Sequence, residues 1–212
     1  MTEQQRPEVL VIASGNAGKL KEFSQLLAGL GLEIRPMPKD LAVEETGTTF
    51  AANARLKAIA VATATGCWAL ADDSGLCVEA LGGAPGVHSA RYASSDAARI
   101  ARLLQELQQA NAEAEQRGDG ASRHAAFTAA LAVADPSGRI QLEVEGVCAG
   151  TILEAPRGAG GFGYDPVFEV PDVGQTFAEM DPALKGRIGH RGVAMQLLLP
   201  KLKSSMGREA SR

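Results

Sequence analysis

The sequence predicts an α/β protein of mixed order, and three observations carry that prediction. Val9-Leu10-Val11-Ile12-Ala13 is a continuous apolar run, as expected of a strand covered on both faces. The period then changes: Leu20, Phe23, Leu26, Leu27 and Leu30 fall on one helical stripe, with Lys19, Lys21 and Glu22 off it. Farther along, Ile140, Leu142 and Val144 alternate with polar residues, the pattern of a strand with one solvated face.

The remaining elements follow in order. Leu32 to Met37 reads as a second strand, ended by Pro36 and Pro38. The alanine-rich stretch from Thr48 to Thr65 reads as a long helix with Thr48 or Thr49 as its N-cap. Trp68 to Ala71 is a buried strand that runs straight into Asp72-Asp73-Ser74-Gly75. After the loop Gly82-Gly83-Ala84-Pro85-Gly86, an amphipathic helix from Ser95 to Gln109 carries Ile100, Leu103, Leu104 and Leu107. Asn111 to Ser122 is polar, charged and Gly-containing, which predicts a mobile surface loop. Ala125 to Ala134 and Ile140 to Cys148 flank the turn sequence Asp135-Pro136-Ser137-Gly138 and predict a hairpin. A glycine-dense loop from Arg157 to Gly163 leads into Tyr164-Asp165-Pro166-Val167-Phe168. Asp181-Pro182 predicts an N-cap with proline in the first turn, and a closing helix spans about His190 to Lys203. Residues 1–7 and 204–212 are expected to fray, and no repeat or linker divides the chain, so one domain over 1–212 is expected.

Composition sets further bounds. At 212 residues, 45% of them apolar, the chain can bury a sizeable core but is too short for two independent enzymes. A net charge of −4 has the wrong sign for wrapping a nucleic-acid polymer, whereas a small phosphorylated ligand needs only a local cluster of cations. Cys67, Cys77 and Cys148 form no CxxC pair and have no histidine at zinc-ligand spacing, so they read as small buried hydrophobes. The polar start MTEQQRPE is unlike a signal peptide, and no apolar run reaches the roughly 18 residues of a spanning helix. The expectation is a reduced, cytoplasmic protein with no membrane partner.

Four segments carry chemistry. Ser14-Gly15-Asn16-Ala17-Gly18-Lys19 lies between a buried strand and an amphipathic helix, where unpaired amides and the positive dipole end suit a phosphate and Lys19 adds a point charge. It is not a Walker A loop, because its glycines are too close and Leu20 follows the lysine; an ordinary turn with a surface lysine fits the same residues. The acids Glu44-Glu45 and Asp72-Asp73 are hard oxygen donors, and magnesium binds through one or two carboxylates plus substrate phosphates. Strand alternation puts Asp72 and Asp73 on opposite faces, so one of them reaches a site directly; a solvated acidic pair is the rival reading for Glu44-Glu45. In Gly160-Gly161-Phe162-Gly163-Tyr164-Asp165-Pro166 the dense glycines and aromatics suit a planar ligand, with Phe162 as stacking face and Asp165 as acceptor of a base N–H; a tight turn with core aromatics is the alternative. Lys185 with His190-Arg191 suits phosphates or a purine oxygen, or simply a solvated helix end, while His88 and His124 are assigned to structure or surface.

Together these segments resemble the inosine triphosphate pyrophosphatase (Ham1-like) family. The resemblance runs from Val9 to about Leu202 and rests on Ser14 to Lys19, Glu44-Glu45-Thr46-Gly47-Thr48-Thr49-Phe50 with Asn53-Ala54, Ala71 to Leu76, Leu81 to Val87 with Ser89-Ala90-Arg91-Tyr92, Gly160 to Phe168, and His190-Arg191-Gly192. It implies an elongated mixed β-sheet with flanking helices, two lobes around a central nucleotide-binding cleft, and a homodimer. It also implies Mg2+-dependent hydrolysis of deaminated purine nucleoside triphosphates (dITP, ITP, XTP, dXTP) to the monophosphate and pyrophosphate. Carried over by residue, Ser14, Gly15, Asn16, Ala17, Gly18 and Lys19 would cradle the triphosphate. Glu45 and Asp73 would hold magnesium, with Asp73 also the proton acceptor that activates water. Ser74, Phe162, Gly163, Tyr164, Asp165, Lys185, His190 and Arg191 would bind nucleotide and base. The 6-oxo group would be chosen over adenine's amino group by donors such as Lys185, His190 or the loop amides. Two departures stand out: Ser14 replaces the common Thr, keeping its hydroxyl, and Gly189 replaces the frequent Ser, losing one. Rival functions are a non-catalytic nucleotide-binding sensor and a pyrophosphatase for modified pyrimidine nucleotides; a kinase-like phosphotransferase lacks its phosphate loop.

Overall fold

The computed structural model describes residues 8–206, so the expected fraying of 1–7 and 207–212 falls outside it. Its elements are β1 (Val9–Ile12), α1 (Ala17–Leu26), β2 (Glu33–Pro36), α2 (Phe50–Thr65), β3 (Trp68–Val78), α3 (Asp96–Arg117), β4 (His124–Ala134), β5 (Ile140–Ile152), β6 (Phe168–Val170), β7 (Gln175–Thr176), α4 (Pro182–Ile188) and α5 (His190–Met206). The strands form one seven-stranded sheet in the order β2-β1-β3-β4-β5-β6-β7. It is mixed: β1 runs parallel to both β2 and β3, whereas β6 is antiparallel to β5 and to β7. The α/β expectation holds.

The residues group into two compact units, one of 8–73, 130–145 and 194–206, the other of 74–129 and 146–193. The first has a core rich in alanine: Ala54, Ala58, Val61 and Ala62 of α2 lie against Val11, Ala69, Ala71, Ala130, Ala132 and Ala134. Small side chains on both surfaces let the helix approach the sheet closely, and close approach is what fills space when few large residues are present. The second core is aromatic and aliphatic, with Ile100, Leu103 and Leu107 of α3 packed among Phe127, Tyr164, Phe168 and Phe177. Edge-to-face and stacked ring pairs join Phe127 to Phe168 and Phe177, at centroid separations of 4.8 and 5.6 Å.

Caps act where the sequence signals them. Thr49 accepts from the Ala52 amide, Ser95 from Ala98 and Asp181 from Leu184, starting α2, α3 and α4. Several boundaries differ from expectation, three of them for a plain physical reason. Asp72 to Gly75 lie inside β3, not after it, because each buried carboxylate has a lysine partner and acids can therefore sit within a strand. Residues 111–117 are helix, not loop: the polar stretch is rich in Ala, Glu and Gln, good helix formers, and α3 continues until Gly118 takes a left-handed φ of 83°. The closing helix continues past Lys203 to Met206, whose side chain is buried, so 204–206 do not fray.

Cys148 is buried as expected of a small hydrophobe, whereas Cys67 and Cys77 are only partly buried. None is in a disulfide, and burial pushes the Cys148 thiol up to about 11. No helix among the described residues is long and apolar enough to cross a membrane.

Candidate functional site

In the first unit the site residues follow from where β1 stops. Its buried run ends at Ala13, and Gly15 to Ala17 emerge exposed. Asn16 folds back as the N-cap of α1, its Oδ1 accepting the Lys19 N–H at 3.1 Å, while Ser14 Oγ accepts the Asn16 N–H at 3.2 Å. These two contacts preform the turn. A Cβ on Gly15 would touch nothing in the protein, and its φ is not left-handed, so neither packing nor backbone requires glycine there. The missing side chain leaves the turn open to a ligand.

Strand alternation sends the two aspartates of β3 to different lysines. Lys19 Nζ lies 2.7 Å from Asp72 Oδ2. Lys57 Nζ, from α2, lies 2.6 Å from Glu45 Oε1, 2.8 Å from the Asp72 carbonyl and 3.3 Å from Asp73 Oδ1. Asn53, one helical turn before Lys57 and fully buried, donates from Nδ2 to Asp73 Oδ2 at 3.1 Å and accepts the Gly47 N–H at 2.8 Å. It thereby ties the Glu45 segment to Asp73. A Cβ on Gly47 would lie 2.7 Å from Asn53 Oδ1, so this approach requires glycine. Glu44 is exposed and Glu45 is half-buried, which settles the acidic pair: one solvated, one in the cluster.

The Lys57–Asp73 pair is unequal. Burial alone would pull the Lys57 pKa down, but Asp73 and Glu45 together hold it above its ordinary value. Burial raises Asp73 above the usual carboxylate range, and Lys57 and Asn53 offset this only in part. Asp73 therefore keeps a demand for positive charge that its protein partners do not meet. Glu45 and Asp73 are hard oxygen donors gathered about one cation. Among the described residues no group of three or more His, Cys, Asp or Glu could hold a metal by itself. Two carboxylates completed by phosphate oxygens are the arrangement magnesium favours, and the residues fit it.

The second unit gathers the other set. Asp165 is 3% exposed, and its Oδ2 accepts both the Phe162 N–H at 2.8 Å and Lys185 Nζ at 2.7 Å. A Cβ on Gly161 would overlap that oxygen, and its φ of 73° is left-handed, so the loop demands glycine twice over. Phe162 is partly exposed, with Lys185 Nζ 5.0 Å and Arg191 Cζ 5.5 Å from its ring centroid. Arg191 donates to Ser74 Oγ at 2.6 Å. His190 stacks on Phe127 at 4.7 Å and 12°. Both His190 and Arg191 are buried, which excludes the solvated-helix-end reading.

Three of these loop groups have partners within the protein. Tyr164 is core: its ring is buried and its hydroxyl donates to the Ser89 carbonyl at 3.0 Å. The amides of Phe162 and Gly163 are directed to the carboxylates of Asp165 and Asp96. Asp165 is buried, and its Oδ2 joins Lys185 to the Phe162 amide. At Gly189, whose N–H donates to the Lys185 carbonyl at 2.8 Å, a Cβ would lie 2.6 Å from that oxygen, so the α4–α5 junction is closed more tightly than a serine allows.

Sequence reasoning missed Lys57 and Asp96, and noted Asn53 without giving it a role. The Asn53–Lys57 spacing of four was the available signal, since it places two polar side chains on one face of an otherwise alanine-rich helix. Asp96 carried none, because a carboxylate in a first helical turn is ordinary.

The chain has relatives among known proteins in both sequence and fold. The family model described as the Ham1 family matches residues 10–201. The chain is 59% identical over 201 residues to a Prochlorococcus marinus (strain MIT 9313) protein named dITP/XTP pyrophosphatase, covering 95% of this chain and 94% of that one. It is 51% identical to a protein of the same name from Nostoc sp. (strain PCC 7120 / SAG 25.82 / UTEX 2576), covering 96% and 98%. Among solved structures, a HAM1 protein from Coxiella burnetii superposes with a TM-score of 0.80 at 41% identity, covering 93% of this chain and 99% of that one. With a family match over nearly its whole length, and relatives well above the identity at which homology is secure, the chain belongs to the Ham1 family.

Proposed function

We propose that the chain is a magnesium-dependent nucleoside-triphosphate pyrophosphatase acting on deaminated purine nucleotides (dITP, ITP, XTP and dXTP) in cytoplasmic nucleotide-pool clearance. The observation that carries the reading is the convergence of Glu45, Asp73 and the Asp72 carbonyl on the Lys57 ammonium, next in the chain to the carboxylate that pairs with Lys19. The names of the curated relatives support it.

One water is added across the anhydride bond between the α- and β-phosphates; that bond breaks, pyrophosphate departs and the nucleoside monophosphate remains. Asp73 takes the proton of the attacking water. Lys57 and Asn53 hold Asp73 in one orientation, so little reorganisation is needed when charge develops. Ser14 to Lys19 receive phosphate at the start of α1, with the open space over Gly15 admitting an oxygen. Glu45 and Asp73 would hold magnesium, whose chemistry there is neutralisation of triphosphate charge.

For the base, Phe162 supplies the stacking face. Lys185, whose ammonium bonds to Asp165 and lies over the Phe162 ring, is the candidate for contacting a 6-oxo group. Adenine presents an amino donor at that position and leaves the ammonium unmatched. His190 and Arg191 complete the set, Arg191 with Ser74. A homodimer is part of the proposal and rests on the family resemblance; light scattering of the purified protein tests it.

The deciding experiment is pyrophosphate release from ITP, XTP, dITP, ATP and GTP, with and without Mg2+. Fast, magnesium-dependent release confined to the first three supports both reaction and selectivity. Comparable release from ATP or GTP keeps the reaction and discards the base argument. No release from any substrate refutes the purine-pyrophosphatase reading and favours the sensor or the pyrophosphatase for modified pyrimidine nucleotides.

A further inference from the structure

Phe162 can stack on a base only if the backbone around it is fixed, and the structure shows what fixes it. The loop amides of Arg157, Gly160 and Phe162 bond to Pro166, Ala178 and Asp165, all within the same C-terminal stretch of chain. The Gly163 N–H instead donates to Asp96 Oδ2 at 2.7 Å, across 67 residues of sequence. Asp96 opens α3, which is anchored by buried Ile100, Leu103 and Leu107. Its other oxygen pairs with Arg99, whose Nε donates to the Ala93 carbonyl at 3.2 Å, so the carboxylate is held from both sides. Gly163 has a left-handed φ of 63° with open space where a Cβ would stand, so glycine here serves backbone conformation and not packing. The peptide groups on both sides of Phe162 thus end on carboxylates, and only one of these, Asp96, belongs to an element outside the loop's own stretch.

We propose that Asp96 is a positioning residue for nucleotide binding: through the Gly163 amide it registers the Phe162 loop against α3 and so fixes the face offered to the base. This rests on reading 162–165 as the base-contacting loop. Asp96 touches no reacting atom, so its loss affects binding and leaves chemistry alone. An asparagine keeps an acceptor for the amide, whereas alanine removes it and glutamate places it one carbon farther out.

The test combines steady-state pyrophosphate release from ITP with hydrogen exchange of the peptide covering 157–164, in the wild type, Asp96→Asn, Asp96→Ala and Asp96→Glu. For Asp96→Ala and Asp96→Glu, KM for ITP is expected to rise about three- to tenfold, the scale of one charged hydrogen bond partly replaced by water, with kcat within about twofold. Asp96→Asn should return KM to within about twofold of wild type, and inhibition by inorganic tripolyphosphate, which has no base, should be the same in all four proteins. Exchange in the loop peptide should quicken in Asp96→Ala alone or with Asp96→Glu. An unchanged KM in Asp96→Ala, an Asp96→Asn as impaired as Asp96→Ala, or a parallel loss of tripolyphosphate inhibition each overturns the proposal. If the wild type releases no pyrophosphate from ITP, the functional reading fails first, and the exchange data still decide whether Asp96 holds the loop.

Discussion

Replacing Lys57 by methionine tests the centre of the first cluster. Methionine keeps most of the aliphatic stem, so the substitution reads the charge more than the packing. The side chains of Lys57, Glu45 and Asp73 are 12%, 25% and 9% exposed, which places the group between two limits. An exposed ion pair contributes about 0–1 kcal/mol, whereas breaking a buried one costs about 3–5 kcal/mol because a charge is left without its partner. Asp73, the most buried of the three, is the member left exposed to that cost, and Asn53 still donates to it. A loss of about 2–3 kcal/mol is expected, and at about 2–4 °C per kcal/mol for a domain of this size Tm should fall by about 4–12 °C.

The pH dependence carries a sign that packing effects lack. The Lys57 pKa is held above its ordinary 10.5, so its contribution is complete below that value and is lost as pH rises through the folded-state pKa. The wild-type-minus-Lys57→Met difference in Tm should be flat between about pH 6 and 9 and should narrow above about pH 10.5. Magnesium adds a second arm. With the ammonium gone, Glu45 and Asp73 repel each other, so Mg2+ should raise Tm more in Lys57→Met than in wild type. A Tm within about 2 °C of wild type at neutral pH would refute the energetic argument. Equal Mg2+ shifts in the two proteins would refute the assignment of these carboxylates to a cation.

Three further outcomes are expected. Asp73→Asn should abolish turnover while its circular dichroism remains that of a folded protein, since the amide oxygen still accepts from Lys57 although its NH2 then faces the Asn53 donor; near-normal rates would remove Asp73 from the chemistry. Gly161→Ala puts a methyl onto Asp165 Oδ2 at a left-handed φ, so it should cost about 1–3 kcal/mol in denaturant titrations and weaken ITP binding, whereas unchanged stability would show the loop is loose. Asp135 accepts from the Ser137 and Arg139 amides and from three side chains, and its pKa is lowered from 3.8 to about 2. Its stabilisation, about 2 kcal/mol, is complete above about pH 4 and lost as pH falls through about 2, so the Asp135→Asn deficit should be constant at neutral pH and shrink in acid.

What could be read from the sequence, and what could not, divides along physical lines. β1, α1, α2 and the β4–β5 hairpin were legible because period and caps are local: Thr49, Ser95 and Asp181 act where their side chains reach the next turn. The length of β3 was not, since whether Asp72 and Asp73 can lie inside a strand depends on Lys19 and Lys57, which reach them from α1 and α2. The same holds for the base loop. Its glycines were visible, but that Phe162 and Gly163 spend their amides on Asp165 and Asp96 is a fact of tertiary placement. Tyr164 looked like a ligand contact because an aromatic in a glycine loop is ambiguous until its hydroxyl is found on Ser89. Residues 111–117 were misread through polarity, which describes a solvated helix end as well as a loop.

The division of labour between Asp72 and Asp73 also bears on the choice between catalyst and sensor. A protein that only binds a triphosphate needs cations, and a carboxylate beside the phosphates opposes binding. Here Lys19 is paired with Asp72, so part of its charge is already balanced within the protein. Asp73 is buried with its pKa raised and its demand for positive charge unmet, which costs stability at neutral pH. Asn53, wholly buried, and Gly47, whose approach leaves no room for a Cβ, both act to hold that one carboxylate in place. A binder gains nothing from such an arrangement. A hydrolase gains a proton acceptor and a cation ligand held in a fixed orientation, and stability given up at a site that performs chemistry is the expected compromise.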